Sequence, residues 1–281
     1  MKAQARRRVE SQVECPGGRT AVGAGTRVLL SIAGYDPSSG AGVLADVAVF
    51  RHLGFAGMGI LTAVTAQNTR RVDEFLCLPP RFLNRQYRTL ARDIRLSGIK
   101  VGMLGGRKNL PVLSRILGES KRLPIVADPV FRASSGRWLL EKTSVRSYLA
   151  AVRGRISVLT PNLAEAAQIS GRAVGNVREM KEAARIIAAS IDAPCLVKGG
   201  HLASAAVDVL FDGKDFSLFE KEKIDADVHG TGCLLSSSLL CFLVRGHPLA
   251  EACGLAARWT HGAIRASSRI GKGRPIALFF P

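Results

Sequence analysis

Aromatic residues are scarce. Phe, Trp and Tyr make up 6% of the 281-residue chain, which leaves little for the stacking platforms that hold single-stranded nucleic acid. Acidic residues are also in short supply, with 22 Asp+Glu against 40 Lys+Arg and a formal net charge of +18. Such a balance suits nucleic acid, an acidic membrane surface or an anionic substrate, and it is also the habit of some proteomes. The arginines are scattered apart from one run, Arg6-Arg7-Arg8. No binding fold and no basic–aromatic interleaving accompanies them, so a nucleic-acid role is disfavoured. Paired cysteines are lacking too: Cys15, Cys77, Cys195, Cys233, Cys241 and Cys253 form no Cys-x-x-Cys. A chain of this size needs no disulfide framework, which points to a reducing cytoplasm and to most thiols as small buried apolar groups. Long hydrophobic runs are missing. Residues 1–26 hold no apolar stretch of export-signal length, and the uncharged segment 228–244 is interrupted by Gly-Thr-Gly and by Ser236 to Ser238. Its apolar part is too short to span a bilayer, so a soluble protein is expected.

What is present reads as α/β. Hydrophobic residues reach 47%, and the 29 glycines suit many tight strand-to-helix turns. Residues 1–26 are polar, basic and without period, and are expected to be a flexible extension before one domain over 27–281. Apolar runs predict strands at Val28–Ala33, Gly57–Val64, Ile99–Leu104, Pro124–Ala127, Ile156–Leu159 and Pro194–Val197. Helical spacing predicts helices over Ala41–Leu53, Phe82–Ile94, 108–118, 143–153, 163–170 and 178–190. Strands alternating with amphipathic helices predict a mostly parallel sheet covered on both faces. Val207–Phe211 and Phe216–Phe219, split by a turn, predict an antiparallel hairpin, followed by helices Thr231–Val244 and Leu249–Ser267.

In such a sheet ligands sit beyond the carboxyl ends of the strands. Several of these ends carry chemistry. His229-Gly230-Thr231-Gly232-Cys233 opens a helix, where backbone N–H groups and the dipole favour an anion such as a phosphoryl group in transfer. The same position lowers a thiol's pKa, so Cys233 is a candidate base or nucleophile; alone, the run also reads as a glycine turn beside a buried cysteine. Asp128 follows one strand. Asn162 and Glu165 follow the next, three apart on a starting helix. With Asp128 they could hold Mg²⁺; equally, Asn162 caps the helix and Glu165 completes a capping box. Lys198, beside Gly199 and Gly200 at another strand end, can meet a phosphate.

Taken in order, these segments resemble a known family. Residues 32–46, Ile-Ala-Gly-Tyr-Asp-Pro-Ser-Ser-Gly-Ala-Gly-Val-Leu-Ala-Asp, are similar to the opening signature of the hydroxymethylpyrimidine/phosphomethylpyrimidine kinases of thiamine biosynthesis, within the ribokinase-like superfamily. Thr65-Ala66-Gln67-Asn68-Thr69, Lys100-Val101-Gly102-Met103-Leu104, Asp128-Pro129-Val130, Thr160-Pro161-Asn162-Leu163, Lys198-Gly199-Gly200-His201, the Gly230–Cys233 run and Ile270-Gly271-Lys272-Gly273 match that family in the same order. The resemblance implies a ribokinase-like three-layer sandwich using ATP and Mg²⁺ to phosphorylate a pyrimidine alcohol and its monophosphate. It implies a pyrimidine pocket of Gly34, Ala41, Asp46, Gln67, Met103 and Val130, and an anion hole of Gly230, Thr231, Gly232 and Cys233. Cys233 would stand where sugar-kinase relatives carry an aspartate base. Lys198, Asn162 and Gly232 would meet the nucleotide, and Asp128 and Glu165, with Asn162, would organise Mg²⁺. A pyridoxal or pyridoxine kinase on the same fold is the nearest alternative, a non-catalytic basic nucleic-acid-binding protein is the alternative from another class, and a homodimer is left open. The chain departs from the pattern at Tyr35, at Ser39 in place of glycine, at Leu234 in place of threonine, and at Ser134, where a lysine is common.

Overall fold

The structure, a computed structural model, describes residues 25–133, 136–200, 202 and 206–277. The expected extension, the Ser134 departure and His201 lie outside them, apart from Gly25 and Thr26. The strands are β1 (Val28–Tyr35), β2 (Ala56–Gln67), β3 (Val72–Cys77), β4 (Gly98–Val101), β5 (Ile125–Ala127), β6 (Val158–Leu159), β7 (Cys195–Val197), β8 (Ala206–Phe211) and β9 (Phe216–Lys221). They form one sheet in the order β3-β2-β1-β4-β5-β6-β7-β8-β9. β1, β2 and β4 to β7 run parallel, while β3 on one side and the β8–β9 hairpin on the other are antiparallel. The helices are α1 (Gly42–His52), α2 (Pro80–Ala91), α3 (Leu110–Glu119), α4 (Val145–Val152), α5 (Leu163–Ser170), α6 (Val177–Ile191), α7 (Thr231–Val244) and α8 (Leu249–Arg265).

Side chains alternate across a strand, so each strand feeds two cores. Leu30, Ile32, Ile125, Ala127 and Leu159 face α2, α3, α4 and α6 through residues such as Leu83, Ile116, Tyr148 and Ile187. Leu29, Val126, Val158 and Leu196 face the other way, onto Phe50 of α1, Leu239 of α7 and Ala256 of α8. The result is three layers, with helices on both faces as expected. Helix α7 is buried from Leu234 to Phe242, which accounts for its lack of charge: it is a core helix of 14 residues. Among the described residues no helix is long and apolar enough to cross a membrane.

Parallelism places the carboxyl ends of β1, β2, β4, β5, β6 and β7 along one edge. Asp36, Gln67, Met103, Asp128, Thr160 and Lys198 therefore emerge on the same side of the molecule. Strand bounds differ from expectation: β1 runs on to Tyr35, β4 ends at Val101 instead of Leu104, and β3 is an added strand. β3 is held by its pairing with β2 and is largely exposed, and β2 runs three residues further than its apolar run, ending at Gln67.

Candidate active site

One group of candidate residues is built where β5, β6, β7 and α7 meet. Lys198, leaving β7, lies 2.5 Å from Asp128 Oδ1 at the end of β5, and the Thr160 hydroxyl donates to the same oxygen at 3.1 Å. Asp128 Oδ2 has a single long contact, the Ser236 hydroxyl at 3.5 Å, so one carboxylate oxygen is nearly uncommitted. Burial works against the charge of Lys198, but the carboxylates of Asp128 and Glu165 raise its pKa above the ordinary value. The N-terminus of α7 faces this pair: a Cβ placed on Gly232 would sit 3.1 Å from Lys198 Nζ and 3.4 Å from Asp128 Oδ2. Gly230 is required for a different reason. Its φ is +80°, and a Cβ there would come within 1.8 Å of the Gly40 carbonyl oxygen, so the α7 start and the β1–α1 loop interlock only through glycine.

Asn162 and Glu165 form the capping box: the Asn162 side chain accepts from the Glu165 N–H at 2.9 Å, and Glu165 Oε2 accepts from the Asn162 N–H at 2.8 Å. Burial and the nearby Asp128 push Glu165 up to about 7, against the pull of Lys198. The capping reading of the pair is therefore realised. A carboxyl crowded by a second carboxylate in a buried place is also a donor set suited to a hard divalent cation.

Cys233 corrects an expectation. Its thiol is pushed up to about 11, first by burial and then by Asp46 and Asp128; Lys100 and the Gly42 N–H only partly offset this. A helix start lowers a thiol's pKa when the thiolate stays hydrated or faces cations; here burial outweighs both the helix start and Lys100, and Asp46 and Asp128 add to it. Asp46 corrects another. It is 0% exposed, with Lys100 Nζ at 2.8 and 2.9 Å, the Ser31 hydroxyl at 2.6 Å and the Ser237 hydroxyl at 2.8 Å. A carboxylate so enclosed has no face for a heterocycle, so Asp46 lies behind the site and outside any pyrimidine pocket.

The ends of β1 and β2 and the loops after β4 and β5 gather the remaining residues. Met103 and Val130 share a small apolar cluster with Ala63, Phe75 and Leu139. A Cβ on Gly34 would lie 2.8 Å from Met103 Sδ, so the glycine lets this wall close. Gln67 Nε2 donates to Asp36 Oδ2 at 3.1 Å, and His229 Nε2 meets the same oxygen at 2.8 Å. The Ala41 N–H donates to it as well, at 3.1 Å. A cavity of about 530 Å³ opens beside them, lined by Ser38, Gln67, Asn68, Arg70, Ile270 and Lys272. Its far wall, the segment near 270–276, is tied down by Gly273 N–H and Arg274 N–H on Thr69 at 3.2 and 3.0 Å, and by His229 N–H on the Pro275 carbonyl at 2.9 Å. A second cavity, about 110 Å³, lies between Gly200, Val228, Thr231, Thr260, His261 and Ile264.

Comparison with known proteins gives the family and the fold. Residues 36–276 match the family model described as phosphomethylpyrimidine kinase. The chain belongs to that family. It is 36% identical over 254 residues to the hydroxymethylpyrimidine/phosphomethylpyrimidine kinase of Aquifex aeolicus, covering 90% of this chain and 100% of that one. Among solved structures it is similar to the ADP complex of Bacillus subtilis pyridoxal kinase, with a TM-score of 0.83, 29% identity and coverage of 90% and 97%. It is also similar to the phosphomethylpyrimidine kinase of Clostridium difficile 630, with a TM-score of 0.73, 30% identity and coverage of 85% and 100%. Ser39 sits at φ +60°, where a side chain costs about 1–2 kcal/mol, a local reason for the glycine that the resemblance implies at this position. Leu234 is 2% exposed and gives the site no hydroxyl. Asp36, His229 and Lys100 stand in the matched motifs, but the motifs alone assigned them no role in the site. Asp36 was open to the same strand-end argument that found Asp128.

Proposed function

We propose that this kinase transfers the γ-phosphate of ATP to the hydroxymethyl group of 4-amino-5-hydroxymethyl-2-methylpyrimidine, and a second phosphate to the resulting monophosphate. One observation carries the reading: the Lys198–Asp128 pair and the first turn of α7 converge on one point, on the same carboxyl edge of the sheet as Gln67 and its cavity. The first N–H groups of α7 have no intrahelical acceptor and, with the helix dipole, favour the charge that develops on a transferring phosphoryl group. Lys198 adds a fixed cation at the same place. Asp128 Oδ2 and Glu165, hard oxygen donors beside each other, would hold Mg²⁺ through its waters, and the ion would neutralise phosphate charge. The adenosine end of ATP would lie along Gly200, Val228, Thr231 and Ile264. Cys233, at the mouth of the anion hole, would take the proton of the attacking hydroxyl. Met103 and Val130 would wall the ring, and Gln67 would read its edge.

The same reading places the enzyme in the cytoplasm, which the unpaired Cys77, Cys195, Cys233, Cys241 and Cys253 support. A second reading, phosphorylation of a pyridoxal-type alcohol, is favoured by the likeness to the Bacillus subtilis enzyme. Release of ADP with the pyrimidine alcohol, its monophosphate and pyridoxal as separate acceptors decides between them. Faster turnover of both pyrimidines is expected. ADP release with pyridoxal alone would overturn the first reading.

A further inference from the structure

Asp36 carries a carboxylate that the phosphate chemistry does not use. It is 3% exposed, yet both oxygens are filled by donors. Oδ1 accepts from the Ser38 N–H at 2.9 Å and the Ser38 hydroxyl at 2.7 Å. Oδ2 accepts from the Ala41 N–H, Gln67 Nε2 and His229 Nε2 at 3.1, 3.1 and 2.8 Å. Burial would raise its pKa, but the bonds from His229 and Ser38 hold it below the ordinary value, so the group is ionised at neutral pH.

An ionised carboxylate only accepts. The end of Gln67 that faces it must therefore be the NH₂. Gln67 Nε2 also lies 3.0 Å from His229 Nε2, because both nitrogens aim a proton at the same oxygen. The ring of His229 is fixed in turn: a Cβ on Gly40 would come within 2.2 Å of it. What remains of the amide is its carbonyl. Oε1 lies 3.3 Å from the Thr65 hydroxyl, whose proton has a nearer acceptor in the Tyr35 carbonyl at 2.9 Å. Turning the amide over would set Oε1 against Asp36 Oδ2 with no proton between them.

We propose that Asp36 is a positioning residue for substrate choice: it locks Gln67 so that the cleft offers a hydrogen-bond acceptor, selecting a heterocycle with an amino group at that edge over one with an oxygen there. The proposal rests on the pyrimidine reading above and adds the group that makes Gln67 discriminate. A site built around one hydrogen-bonded group rejects the analogue lacking it far better than apolar fit alone does.

The test compares two acceptors, the 4-amino pyrimidine alcohol and its 4-oxo analogue. Wild-type turnover of the amino alcohol checks the reading itself. For wild type, kcat/KM is expected to favour the amino compound about 100-fold or more. In Asp36→Asn the side chain can donate as well as accept, Gln67 can turn over, and that ratio is expected to fall at least tenfold with the KM for ATP unchanged. Asp36→Asn/Gln67→Glu should restore the preference, since the amide introduced at position 36 can donate to one oxygen of the carboxylate introduced at position 67, and the other oxygen still accepts from the amino group. A purely structural role would slow both alcohols alike, so an unchanged ratio in Asp36→Asn, or a double variant no better than the single, would overturn the proposal. Should Asp36→Asn fail to fold, Gln67→Met takes its place: loss of the preference supports the proposal, and a retained preference overturns it. A wild type that turns over neither alcohol overturns the pyrimidine reading and the proposal together; a wild type without preference overturns the proposal alone.

Discussion

The molecule buries two lysine–aspartate pairs within reach of the same thiol, and they are built to different ends. Lys100 and Asp46 are both 0% exposed at the side chain, and Lys198 and Asp128 are 13% and 3% exposed. Asp46 spends both oxygens on Lys100, Ser31 and Ser237, which ties β4, α1, β1 and α7 together. Asp128 spends one oxygen on Lys198 and Thr160 and leaves the other with a contact of 3.5 Å. A saturated pair can hold elements in register and do nothing else, whereas a pair with a spare oxygen and an accessible ammonium can exchange partners with a ligand. Desolvating two charges is costly in both places. At the first site enclosure on all sides offsets that cost; at the second, part of it is left for a ligand to relieve.

The largest expected difference comes from breaking each pair on its lysine side. Lys100→Met leaves the Asp46 charge buried without its cation, and should cost about 3–5 kcal/mol of stability in urea unfolding. Lys198→Met should cost clearly less, because Lys198 is itself partly exposed and Thr160 still donates to Asp128, but should lower turnover by about 10²-fold as a phosphate contact is lost. Equal destabilisation by both, with turnover kept in Lys198→Met, would erase the distinction.

A smaller effect tests which pair sets the chemistry of Cys233. With its thiol pushed up to about 11, the group is protonated at neutral pH, and its thiolate fraction rises about tenfold per pH unit. If Cys233 is the base, kcat/KM should climb with that slope between about pH 7 and 9. Cys233→Ala should lower turnover about 10²-fold and flatten the climb. A flat wild-type profile would assign the work to Lys198 and the backbone of α7 alone.

The contrast between the pairs also marks where sequence reasoning reaches. The sheet was legible because β1 and β4 to β7 are short apolar runs between helical repeats, and α7 was read to the residue from its glycine start. β3 was not, since Val72–Cys77 includes Asp73 and Glu74 and is largely exposed, held by pairing with β2. Asp128 and Lys198 could be placed at strand ends by position alone. Asp46 could not be placed in the core that way: its partners Ser31, Lys100 and Ser237 come from three other elements, and only the packing of α1 against α7 brings them together. The thiol's direction was missed for the same reason: the packing that buries it, and the carboxylates that add to the effect, are near in space and far in sequence.

The smallest expected effect sharpens the comparison most. Lys100 lowers the pKa of Cys233 while Asp46 raises it, so as a pair they present little net charge to the thiol. Asp46→Leu/Lys100→Met removes both charges and keeps apolar bulk in their place. Such replacements of a buried pair are often close to neutral, so stability should stay within about 2 kcal/mol of wild type. Ser237 can turn its hydroxyl to a carbonyl one turn back in α7, as helix serines do. The pH–rate climb should keep its position to within about half a pH unit, since two opposed influences of similar range leave together, and turnover at pH 8 should stay within about threefold, since Lys198 and the first turn of α7 are untouched. The single Lys100→Met leaves Asp46 unopposed and should move the climb to higher pH. If the double variant lost as much turnover as Lys198→Met, the enclosed pair would be acting on the reaction through its charge. It would then have to be counted with Lys198 and Asp128.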